Sequence, residues 1–136
     1  MSRDWTGQHA PTLEDFEKIA AKAYRALPEN FRVMTEGIVV RVADFADKDV
    51  LNELGLANEF ELLGLFQGVG LAHDGAVPQS GRMPNMVTLY RRPILDYWAE
   101  NEDTLDHIVT HVLIHEIGHH FGLSDEDMEA IEAATA

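Results

Sequence analysis

Apolar residues recur along the chain with two periods, and the switches between them mark the elements. Leu13, Phe16, Ala20, Ala23 and Leu27 fall three or four residues apart and so share one face of an amphipathic helix. Thr12 and Asp15 have capping-box spacing at its start, and Pro28 stops the pattern. Ile38 to Val42 is short and β-branched, which predicts a strand. Asp47 to Leu54 predicts a short helix, with Asp47 as its cap and Gly55 just past its end. Leu62 to Gln67 is an apolar run too brief for a buried helix and reads as a strand, as does Met86 to Arg91. Residues 68–85 between them are rich in Gly and Pro and predict a long surface loop, in which His73 and Asp74 read as a solvated turn. Pro93 suits the first position of a short helix reaching Trp98.

The longest pattern starts at Asp103 and Asp106, which predict a cap, and runs to about Phe121. Leu105, Ile108, Val109, Val112, Leu113, Ile114, Ile117 and Phe121 cover most of the circumference, so this helix is expected to lie buried through the middle of the domain. The remaining arc carries His107, His111, His115, His119, Gly118 and, at its edge, Glu116, a polar stripe that predicts a cleft wall. Inside a helix Gly118 costs about 1 kcal/mol relative to alanine, which predicts close approach by another segment or a substrate. Ser124 and Asp127 have cap spacing for a last helix, with Met128 and Ile131 as its apolar side.

The stripe contains His115-Glu116-Ile117-Gly118-His119, a His-Glu-x-x-His motif, followed by Gly122 and Asp125. Residues four apart lie one above the other, so His115 and His119 can aim ring nitrogens at one metal ion. Glu116 is turned about 100° from His115, too far to be a third ligand on that face but placed to act as general base on a water. Catalytic zinc takes three protein ligands and leaves a position open. Gly122 can adopt the left-handed conformation that ends a helix, which would return Asp125 towards the histidines as the third ligand. A competing reading gives Asp125 only the favourable place of an acid in a first helical turn. His111, one turn before His115, reads as a hydrogen-bonded helix histidine or a support to the site. His120 lies about 100° from His119 and cannot share its ion in a regular helix.

Charge and composition narrow the partners. The chain has 136 residues, enough for one domain over residues 1–136 with 1–11 as a loose terminus. Its 24 acidic against 10 basic residues give a net charge of −14, which argues against nucleic acid and anionic membranes. It has no cysteine, so any metal must be held by His, Asp, Glu or water. Residues 1–11 have no apolar core of signal-peptide length and no apolar run is long enough to span a bilayer, so a soluble cytoplasmic protein is the default expectation, taken to be a monomer.

The stretch HEIGHHFGLSD followed by Met128 resembles the small bacterial zincin-like metallopeptidases sometimes called minimal zincins. LLGLFQGVGL and MPNMVTLYRRPI are also similar to that family, extending the resemblance from roughly Val39 to Met128. It implies an α+β zincin-like fold, a small mixed sheet packed on a central active-site helix with flanking helices. It also implies a Zn²⁺ cofactor on His115, His119 and Asp125, with Glu116 as catalytic base and a peptide or protein as substrate. The strand at Val87 to Arg91 would be the sheet edge beside the cleft, with Tyr90 or Arg91 as candidates to stabilise an oxyanion. A glutamate ligand from a separate downstream helix is disfavoured, because only 17 residues follow His119 and Glu129 or Glu132 would have to supply it. The alternative function is a non-catalytic zincin-like module, with structural zinc or peptide and partner binding only.

Overall fold

The computed structural model describes residues 5–68 and 85–135. The expected loop over 68–85, with His73 and Asp74, lies outside the described residues apart from its two end positions. Among the described residues the fold is α+β, with six α-helices and a three-stranded mixed sheet.

Helix α1 (Leu13–Arg25) starts at the Thr12 box, where Thr12 Oγ1 accepts from Asp15 N at 3.1 Å and Asp15 Oδ2 accepts from Thr12 N at 2.9 Å. Its stripe of Phe16, Ala20 and Ala23 is buried as the spacing requires. Pro28 does end the pattern, but it also caps a second helix that periodicity alone does not predict, α2 (Glu29–Met34). A proline without an N–H is no loss at a helix start, where that donor has no intrahelical partner. Strand β1 (Val39–Ala43) follows, then α3 (Lys48–Glu53) with Asp47 at its N-cap position and Gly55 at φ +71° beyond its end. A short 3₁₀ turn (Glu59–Glu61) leads to β2 (Gly64–Gln67), then β3 (Met86–Tyr90) and α4 (Arg91–Glu100).

Two expectations are corrected here. Arg91 is the first residue of α4 and not the end of a strand, and Pro93 sits third in that helix, still within the first turn where its missing N–H does no harm. Strand β3 is also the centre of the sheet among the described residues, in the order β1-β3-β2, and not its edge. It runs parallel to β1, with Val40 opposite Val87, and antiparallel to β2, with Phe66 opposite Val87. Val87, Leu89 and Tyr90 are accordingly buried, as a central strand covered by helices must be.

Helix α5 (Leu105–His120) packs against α1, α4, β2, β3 and the last helix, α6 (Asp125–Thr135). Its N-cap residue is Thr104 and not Asp103 or Asp106; those two bracket it, Asp103 accepting from Thr104 N and Asp106 from the Thr104 hydroxyl. Ile108, Val109, Val112, Leu113, Ile114 and Ile117 are buried, each worth roughly 1.5–3 kcal/mol when fully removed from water. The central helix is therefore the element on which the other layers are assembled.

Candidate metal centre

The end of α5 is built by a few local rules. Gly122 takes φ +75°, the left-handed conformation that lets the chain reverse. Leu123 N donates to Gly118 O at 2.9 Å and Gly122 N to His119 O at 3.1 Å, the paired bonds of a Schellman motif. Ser124 then caps α6: its Oγ accepts from Asp127 N at 3.0 Å, and Ser124 N donates to Asp127 Oδ2 at 3.2 Å. Helix α6 thereby returns along α5, with Met128 fully buried between them.

His115 and His119 stand on successive turns with ring centroids 5.8 Å apart. His115 Nε2 is buried and has no hydrogen-bond partner, which holds for no other buried side-chain nitrogen or oxygen among the described residues. Leaving such an atom unpaired costs about 1–3 kcal/mol, so it calls for a ligand. Burial, followed by the neighbouring His111, pushes the His115 pKa down and keeps its ring neutral, the form that offers a lone pair to a metal. With no thiolate in the chain, imidazole and carboxylate donors of this kind fit zinc.

Glu116 faces the sheet. Burial raises its pKa above the ordinary carboxylate value, while His119 and the Phe66 amide pull it down by smaller amounts. The approach to β2 depends on Gly64: a Cβ there would lie 2.6 Å from Val112 Cγ1 and 3.4 Å from Glu116 Cγ. Phe66 stacks on His120 with centroids 3.9 Å apart, so His120 is committed to packing against β2.

Asp125 is exposed at the first position of α6, close enough for its charge to raise the His115 pKa. The donor atoms that the fold draws within 4.8 Å of one another, among the described residues, belong to a different set: His111, His115 and Glu132. His119 and Asp125 are not in that group. Glu132, set aside in sequence because so little chain follows His119, reaches this place because the turn at Gly122 sends α6 back beside the earlier turns of α5. The spacing His111-x-x-x-His115 was the available signal for His111; nothing local pointed to Glu132.

Tyr90 and Arg91 have other employment. Burial first, then Asp47 and Glu116, raise the Tyr90 pKa, and its ring packs with Ala46 and Leu51. Arg91 donates from Nε to Pro11 O at 2.6 Å and pairs with Asp44 at 3.0 Å.

A buried helix bearing His-Glu-x-x-His against a small mixed sheet is the arrangement of a zincin. Residues 35–135 match the family model of zincin-like metallopeptidases, and the chain belongs to that family. No curated protein matches the chain. Among the described residues no helix is long and apolar enough to cross a membrane.

Proposed function

We propose that the chain is a zinc-dependent peptidase that hydrolyses peptide bonds, with His115, His119 and Asp125 as ligands of one ion and Glu116 as general base. The observation that carries this reading is the buried, unpartnered Nε2 of His115, beside His119 and one residue before a half-buried glutamate. A zinc ion held by these residues would polarise a scissile carbonyl and lower the pKa of water. Glu116 takes a proton from the attacking water on its carboxylate and returns it to the leaving amine. Its raised pKa suits both transfers, since a base whose pKa lies nearer the working pH both accepts and releases a proton readily. The substrate backbone adds as a strand along β2, which has one strand neighbour among the described residues and lies against the turn of α5 that carries Glu116.

Zinc binding and cleavage of a peptide library, measured together, test the reading. Glu116→Gln is expected to keep the ion and lose turnover; retained turnover overturns the assignment. Asp125→Ala is expected to weaken zinc binding severely, and unchanged affinity returns Asp125 to a first-turn acid. The separation of His119 and Asp125 from the His111-His115-Glu132 group favours a second reading, a module whose metal is structural. A small hydroxamate separates the two, because it binds an ion with an open position and not a closed one.

A further inference from the structure

The polar stripe of α5 repeats the two-histidine spacing of the motif one turn earlier. His111 and His115 are four residues apart, as His115 and His119 are, and their ring centroids lie 4.0 Å apart at an interplanar angle of 30°. Glu132 meets them from α6, its carboxylate bonded to His111 Nδ1. Two imidazoles and a carboxylate whose donor atoms all fall within 4.8 Å make a set that suits zinc. The unpartnered Nε2 of His115 is open to a ligand in either frame. An acidic groove of about 670 Å³, bordered by Asp103, Asp106, Glu129 and Glu132, adjoins the cluster and concentrates cations at its mouth.

We propose that His111, His115 and Glu132 form a second seat for a zinc-class divalent ion, overlapping the His-Glu-x-x-His frame through His115 and exclusive with it. Exclusion follows from His115, because a neutral imidazole has one free lone pair and serves one ion at a time. Val112, buried, follows His111 where Glu116 follows His115, so the second frame lacks a base of its own. An ion in this seat withdraws His115 from the peptidase frame and silences it, a consequence that rests on the function proposed above. The chain thus selects between an active and an idle position for the same metal.

Zinc titration of the full chain, read by native mass spectrometry and by competition with a chromophoric chelator, tests the proposal. His119→Ala with Asp125→Ala dismantles only the motif frame, and both side chains are exposed, so the core is untouched. This double variant is expected to hold one zinc per chain. Adding Glu132→Gln or His111→Ala is then expected to weaken binding by more than about a hundredfold, beyond the loss caused by removing a mere supporting partner. A double variant that binds no zinc, while the parent chain binds one, overturns the second seat and leaves the peptidase site standing. Retention that survives Glu132→Gln and His111→Ala also overturns it, and leaves the His111–Glu132 pair as a contact between helices only. A parent chain that binds no zinc overturns both. Cobalt(II) in the double variant gives a second readout: adding Glu132→Gln is expected to change the d–d absorption, and an unchanged spectrum overturns the proposal.

Discussion

Met128 fills the space that a side chain at Gly118 would need: a Cβ built there would meet Met128 Sδ at 2.5 Å and Cγ at 2.9 Å. The close approach that a glycine inside a helix predicts is therefore made by α6. Alanine gains about 1 kcal/mol in helix propensity at such a position, but overpacking a filled core costs typically 1–3 kcal/mol, and Met128 is fully buried with little room to yield. Gly118→Ala is expected to lower stability by up to about 2 kcal/mol in urea unfolding. Met128→Ala alone opens a cavity, and the double variant should lose less than the sum of the two singles, since each relieves the other's defect. Additive losses would mean the two residues do not compete for the same space.

Glu116→Gln is expected to reduce peptide hydrolysis by about 10²–10⁴-fold, the usual contribution of a positioned acid–base group, with zinc affinity nearly unchanged. Paired kinetic and metal-binding measurements check it. A fall in turnover that tracks loss of metal would make Glu116 a ligand or a support to one.

Arg91→Ala is expected to lower stability by about 1–2 kcal/mol while leaving activity per folded molecule alone. Its guanidinium joins Pro11 to Asp44, tying the segment before α1 to the end of β1, and the figure allows for Asp44 being half exposed. A selective loss of kcat with unchanged stability would instead favour the oxyanion role that its sequence position suggests.

His107 titrates above its ordinary value, chiefly because Asp103 Oδ2 is bonded to its Nδ1 at 2.7 Å, with smaller help from the charges of Asp103, Glu132 and Asp106 against a desolvation that opposes them. The same bond lowers the Asp103 pKa. Because the folded histidine holds its proton more tightly than the unfolded one, its stabilisation is fully present below about pH 6.5 and is lost as pH rises through the raised folded value. At the acid end it fades as Asp103 takes up a proton, below the ordinary carboxylate range. NMR titration should place the His107 midpoint above 6.5, and Asp103→Asn should bring it down. No movement in that variant would remove Asp103 as the cause.

Elements with a clean period were legible in the sequence, and those fixed by tertiary packing were not. The Thr12 and Ser124 boxes, the buried rod from Ile108 to Ile117, and the glycine turn at Gly122 follow from local rules, and the structure has them. Helix α2 was hidden because a proline that ends one helix can begin another. The place of β3 was hidden for a different reason: β-branched residues describe a strand but not its neighbours, which lie 19 or more residues away along the chain. At the site, the spacing of His115 and His119 could be read directly, and the company of Glu132 could not, because it depends on which direction α6 takes after its turn.

That direction has a consequence for how this segment can vary. Asp125, Met128 and Glu132 are three and four residues apart on one side of α6, and each addresses a different level of α5: the charge of His115, the gap at Gly118, the ring of His111. An inserted residue between Asp125 and Met128 would twist the following two about 100° out of phase with the first. The tail of the chain is thus keyed by length, like teeth cut on a common shaft: single substitutions can be absorbed one tooth at a time, whereas a one-residue slip disengages several at once.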